Sequence, residues 1–275
     1  MKAWVIAELT LREAARRRVL WAALLLGLAF LALYGLGLQL MLNGPGAQAT
    51  ALERREGTNA LLMVGLYAVD FLMVMMIVLT SVDTLPGEIS TGVIQSLAVK
   101  PLKRWEVVVG KWLGFAAMLT VYVLLMAGGV LVLTYILSGY TAHRILAGLA
   151  LMWMEGLLLL SMTVMWGTRF SALTTGVLTF GFHGLAFIGG WIEEFGALAH
   201  SQAAVKLGVL TSLIMPSEVL WRRAAVEMQS PLVNAIGASP FSNASVTSAT
   251  MIVYAGLYLV TVFSLAVRLF GRKDL

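Results

Sequence analysis

The chain has 275 residues, of which 60% are hydrophobic and 12% charged, against roughly 25% charged in soluble domains. That balance excludes a water-covered globule and describes an all-α polytopic membrane protein. There is no cysteine, which excludes disulfides, thiolate metal sites and cysteine nucleophiles.

The first 18 residues, MKAWVIAELTLREAARRR, precede the first long apolar run. A secretory signal passes from its basic end straight into apolar sequence, so this segment does not read as one. Glu8 and Arg12, and Glu13 and Arg17, stand at i,i+4 and support a helix. Trp4, Ala7, Leu11, Ala14 and Ala15 share one face, with Val5, Ile6 and Leu9 on the other. Residues 1–18 thus read as an interfacial helix, one side to lipid and one to protein, or as a plain juxtamembrane extension.

Six apolar runs near the roughly 20 residues that cross a bilayer follow: 20–42, 60–82, 106–137, 144–167, 171–191 and 249–270. The third is longer than a crossing requires, so it begins in water or bends near Gly128-Gly129. Asp70 falls near the middle of span two, Glu155 near the middle of span four, and His183 at similar depth in span five. A charged carboxylate there costs about 2.5–3.5 kcal/mol on insertion scales, and no Lys or Arg lies mid-span to pair with it. The three are candidate pathway residues, or else neutral groups hydrogen-bonded to a neighbouring helix. His143, His183 and His200 fall in separate segments, so no metal site is expected. The abundant methionines, MVMM at 73–76 among them, read as core filling ahead of a copper path.

Between spans two and three, residues 84–105 form a polar loop. Leu85, Ile89, Val93 and Leu97 recur every four residues and give a short helix an apolar stripe. Pro86 suits its first turn and Pro101 stops it. Lys100, Lys103 and Arg104 then meet the headgroups before span three.

Residues 192–248 are too apolar for a plain loop. Phe195, Leu198, Val205 and Val209 keep helical spacing up to Pro216, and Ser217 is placed to cap a second helix carrying Glu218, Arg222 and Arg223. Two short helices, partly buried in the outer leaflet, would form a lid or a re-entrant hairpin. A gate, simple packing over the bundle and a docking surface for an extracytoplasmic partner all remain open.

With the N-terminus cytoplasmic, 13 of the 19 Lys and Arg lie on the inside, as the positive-inside rule requires. Six spans then leave both termini cytoplasmic. The formal charge of +5 faces anionic lipid and calls for no nucleic acid.

The stretch EISTGVIQSLAVKPLKRWEVVVGK resembles the cytoplasmic loop of type-2 ATP-binding-cassette (ABC) transporter permeases. The matching positions are Glu88, Gly92, Lys100, Pro101, Arg104, Gly110 and Lys111. REAARRRVLW before span one and LFGRKDL at the C-terminus also resemble that family. The resemblance covers essentially the whole chain and is strongest over 80–115.

It implies a six-span permease of a bacterial or archaeal cell membrane, with 1–18 as the elbow helix. Residues Glu88, Ile89, Gly92, Val93, Leu97, Lys100, Pro101 and Arg104 would belong to the coupling helix, which docks on a separate ABC ATPase. ATP and magnesium would bind that ATPase and no cofactor this chain. A second permease copy or paralogue would complete the path, lined by spans one, two and five. The chain has no P-loop of its own: Trp105 and Trp112 stand where the first Gly and the hydroxyl of that motif should flank Gly110-Lys111. An exporter is expected. A proton- or ion-driven secondary transporter using Asp70 and Glu155, and a membrane scaffold, are the alternatives.

Overall fold

The computed structural model describes residues 2–44, 50–90, 103–230 and 248–272. Among them are ten helices and no strand: α1 (Lys2–Arg16), α2 (Arg18–Asn43), α3 (Ala51–Ser81), α4 (Thr84–Ser90), α5 (Arg104–Ser138), α6 (Ile145–Gly167), α7 (Ala172–Leu198), α8 (Gln202–Ile214), α9 (Ser217–Met228) and α10 (Ala249–Gly271). Six are long and apolar enough to cross a membrane: α2, α3 running on through most of α4, α5, α6, α7 and α10. The chain alternates direction. The N-terminus, α4 and the C-terminal end of α10 therefore share one face of the bundle, here termed the terminal face; the opposite end is the far face.

Local sequence sets the helix ends. Thr50 and Glu53 form a capping box at the start of α3, with Thr50 N–H donating to Glu53 Oε2 at 2.8 Å. Ser171 caps α7, and Gly139, at φ +67°, ends α5 in the left-handed conformation that glycine adopts without strain. Helix α5 is continuous through Gly128-Gly129, so the third span is simply long. Gly129 meets Leu31 of α2, while Gly128 faces open space.

Helices α3, α5 and α6 supply most of the core; α2, α7 and α10 keep most of their surface outward. Polar ties fix the registers. Tyr34 and Thr134 hydroxyls lie 2.6 Å apart between α2 and α5, and Trp112 Nε1 donates to Ser161 Oγ at 2.9 Å between α5 and α6.

Helix α1 crosses α5 at Gly110 and Gly114. A Cβ at Gly110 would stand 2.7 Å from the Ala3 carbonyl oxygen, and one at Gly114 2.8 Å from that of Ala7. The small-xxx-small pair is what lets the two backbones approach this closely. Ala7, Thr10 and Ala14 are buried against the bundle, whereas Trp4, Val5, Leu9 and Leu11 are exposed. Trp4 and Leu11 therefore leave the face the sequence assigned them with Ala7. The helix is apolar on two sides, and the protein side is the one with small residues.

Beyond α7 the chain folds back into the bundle. Helix α7 runs on to Leu198, so Phe195 and Leu198 belong to this span and not to a separate outer helix. After a turn at 199–201, α8 packs antiparallel along α7. Gly196 lies against Ala204, Gly189 against Thr211, and Gly208 against Glu193. Pro216 then turns the chain through 106° into α9, because a proline has no amide to continue the helix. Helix α9 climbs along α6 to the far face, where Met228 packs on Gly148 and accepts from His143 N–H at 3.2 Å.

The apex, Met215 to Ser217, is buried. Pairing with Gly189 sets it near the mid-depth of α7. The carbonyls freed at the break find partners on α10: Tyr254 OH donates to Leu213 O at 2.5 Å and Tyr258 OH to Ile214 O at 2.9 Å. An apex without such donors would be costly in hydrocarbon.

Candidate functional site

Two clusters of ionisable groups lie inside the bundle. The first is at the terminal face, where α4 meets α5. Lys111 is buried about two turns inside α5, where its ammonium reaches Glu88 Oε2 at 2.5 Å and the Thr84 carbonyl oxygen at 3.2 Å. A lysine so placed needs both partners, since an unmatched ammonium is expelled from a low-dielectric site. Leu85 is buried beside it, and Pro86 packs on Gly167 at the end of α6. Arg104 Nη1 donates to the Gly271 carbonyl at 3.4 Å, joining the start of α5 to the end of α10. The beginning of the 84–105 loop is thereby fastened to α5 and α6.

Glu88 and Arg104 are thus placed, and Ile89 lies within α4. Gly92, Val93, Leu97, Lys100 and Pro101 fall outside the described residues.

The second cluster is at the apex of the re-entrant pair. Asp70 on α3 and Glu155 on α6 have adjoining carboxyl groups, and Glu218 in the first turn of α9 is close enough for its charge to act on both. Their exposures are 6%, 0% and 5%. Asp70 Oδ1 and both oxygens of Glu155 have no hydrogen-bond donor among the described residues. Gly190 of α7 admits the Glu218 side chain, because a Cβ there would meet its Cγ at 2.9 Å.

Arg222 stands one turn beyond Glu218, but its Nη2 is 2.8 Å from Glu193 Oε2 on α7, in a pair buried on both sides. Tyr67, Trp221, Phe187 and Trp191 form a chain of ring contacts over the cluster, with centroids 5.4–6.4 Å apart. Carboxyls crowded this way in a dry, aromatic enclosure repel one another when charged. They are chemically suited to hold a proton or accept a cation. Among the described residues, no group of three or more His, Asp or Glu could hold a metal ion.

A family model for ABC-2 family transporter proteins matches residues 4–275. The chain belongs to the ABC-2 transporter family. Comparison with curated proteins gave no match. As a member of that family it is a membrane-spanning permease subunit, and such subunits work with ABC ATPases in general.

In this permease the structure brings Asp70 and Glu155 together. It places His183 beside them only indirectly: His183 Nδ1 is 3.0 Å from Ser217 Oγ, the residue before Glu218. Ser217 is therefore not the helix cap that its position suggested; Pro216 occupies the cap and the serine hydroxyl is spent on the imidazole.

Glu218 and Arg222 were missed as buried groups. Both sit in a segment of mixed polarity whose depth is fixed by the fold-back along α7, which no local pattern records. The re-entrant pair carries Arg222 inward, and Glu193 neutralises it. The one local hint was Pro216 followed at once by Ser-Glu inside an otherwise apolar stretch.

Proposed function

We propose that this permease is the membrane half of an ATP-driven exporter in a bacterial or archaeal cell membrane, with the terminal face and both termini in the cytoplasm. A separate ABC ATPase binds ATP and magnesium and docks on the 84–105 loop. A second permease copy or paralogue completes the translocation path. The positive-inside distribution supports the orientation, and the family resemblance supports the direction of transport.

The observation that carries the reading is the buried Lys111–Glu88 contact, with Thr84 and Pro86 beside it. A push on the loop reaches α5 through the ion pair and α6 through the Pro86–Gly167 contact, without first having to compress anything soft. Glu88, Ile89, Gly92, Val93, Leu97, Lys100, Pro101 and Arg104 make up the proposed ATPase-coupling segment.

The test is co-purification of the chain with its ATPase, with substrate transport and ATP hydrolysis measured together. Glu88→Gln is expected to leave hydrolysis running while transport falls. Gly92→Leu is expected to weaken co-purification. Transport and hydrolysis that ignore both substitutions would refute the coupling role.

A second reading is favoured by the apex cluster. Asp70, Glu155 and Glu218, with His183 close by, would handle a proton or cation during the cycle. Cation- or proton-dependent transport that persists without any ATPase would make this the primary reading.

A further inference from the structure

The apex cluster holds more acceptors than donors. Asp70 and Glu155 adjoin across α3 and α6, and both are almost wholly buried. Asp70 Oδ1 and both carboxyl oxygens of Glu155 have no hydrogen-bond donor among the described residues. A buried acceptor left alone is costly, and more so when it carries charge.

The ionisable groups around the pair have their own attachments. On α3, the Tyr67 ring packs on Phe187 and Trp221. On α7, His183 Nδ1 is 3.0 Å from Ser217 Oγ, and Glu193 is paired with Arg222. On α9, Glu218 lies against Gly190, and Arg222 acts on it from one turn away. Tyr122 of α5 is turned toward Gly27 of α2, and Lys206 of α8 is exposed. On α10, the Tyr254 and Tyr258 hydroxyls donate to the carbonyls of Leu213 and Ile214.

The missing partner is a donor that needs almost no room. A proton on one carboxyl converts an acceptor into an O–H donor, so the other carboxyl gains a hydrogen bond and one of two crowded charges disappears. A metal ion would require several oxygen ligands at fixed distances, and no group of three or more His, Asp or Glu among the described residues could hold one.

We infer that Asp70 and Glu155 form a proton-binding site, holding one proton between them as an O–H···O bond that ties α3 to α6. The inference rests on the second reading above for its site and names the ligand of that site. Release of the proton leaves two carboxylates beside Glu218, so occupancy of the site is linked to how closely α9 fits against α3 and α6.

Infrared difference spectroscopy reads the proton directly, on the full-length purified chain in lipid nanodiscs without ATPase or substrate. At neutral pH the unmodified chain should show the carbonyl band of a protonated carboxyl, moving to lower frequency in deuterium oxide. Asp70→Asn and Glu155→Gln should each remove the same share of that band. The double variant should remove no more than either alone, because one proton serves both side chains. Losses that add would mean two separate acids and would overturn the inference. Absence of the band from the unmodified chain would do so as well, and that measurement needs no variant to fold. A band that emerges only when sodium and potassium are replaced by a large organic cation would assign the site to a metal cation instead. Transport is measured separately, so the two readings fail separately. Proton-dependent transport without this band would sink the inference alone, and the band with transport indifferent to pH would sink the second reading alone.

Discussion

At the terminal junction the buried Lys111 ammonium meets a carboxylate and a carbonyl, while at the re-entrant apex three carboxyls stand together and the nearest guanidinium, Arg222, is already held by Glu193. Both places are nearly dry. In such surroundings a matched pair has one good geometry, and separating it exposes a bare charge, so the junction behaves as a rigid link. Crowded carboxyls have no such single best arrangement. Their energy depends on whether a proton or cation is present, which makes the apex responsive where the junction is stiff. Under the proposed coupling to a separate ATPase, transmission at one end and sensitivity at the other is a sensible division.

If that contrast is sound, breaking the junction should cost the most. Lys111→Ala leaves Glu88 and the Thr84 carbonyl without their cation and is expected to destabilise the chain by about 3 kcal/mol, the low end for a buried pair because Glu88 is partly exposed. Urea or thermal unfolding in detergent measures it. Lys111→Met combined with Glu88→Gln should cost clearly less than the sum of the single changes. Additive losses would mean that the two residues are not coupled. Next comes the α1 crossing: Gly110→Leu drives a side chain into the Ala3 carbonyl and Ile6 and should cost about 1–3 kcal/mol by overpacking, visible as lost monodisperse protein.

The apex should respond with the opposite sign. Replacing Glu155 by Gln removes one of three crowded carboxyls, whose two oxygens have no donor among the described residues, so stability should hold or rise by about 1 kcal/mol. Transport, read in vesicles with the ATPase partner, should change all the same. Asp70→Asn should behave alike. If either amide destabilises as Lys111→Ala does, the apex is a structural network and the distinction between the two regions disappears. A smaller effect is expected where α10 closes the break. Tyr258→Phe deletes the donor to the Ile214 carbonyl and should lower stability by about 0.6 kcal/mol, the usual scale for such bonds in membranes.

The same two regions mark how far the sequence could be read. Six apolar runs and a sparse charge content announce the fold class, because hydrocarbon imposes its period and length on every span. Gly110-x-x-x-Gly114 is visible as a contact motif, though not that its partner would be α1. Asp70 and Glu155 stand out because a carboxylate in an apolar run is expensive. Glu218 does not stand out. Its burial comes from the α8–α9 fold-back, which depends on three glycine contacts between consecutive helices, at Gly189, Gly196 and Gly208, that no local pattern announces. Ser217 shows the same limit: a local rule makes it a cap, and a partner 34 residues away makes it a ligand of His183.

The turn that starts this fold-back offers the finest test. His200 adopts φ +54° between α7 and α8, with its own N–H donating to Ala197 O at 3.2 Å and the following Ser201 N–H to Gly196 O at 2.8 Å. A left-handed conformation costs a non-glycine residue about 1–2 kcal/mol, while a glycine in its place loses about 0.5–1 kcal/mol of extra backbone entropy on folding. His200→Gly should therefore gain roughly 0.5 kcal/mol in unfolding experiments and leave transport alone. Arg144 at φ +30° is the control, because its guanidinium also reaches Glu227 Oε2 at 3.1 Å. There the strain relieved by Arg144→Gly is offset by the lost contact, and no net gain is expected. A loss at His200 as well would mean that the imidazole supports the hairpin by contact, and that the turn is held by its side chain instead of its backbone.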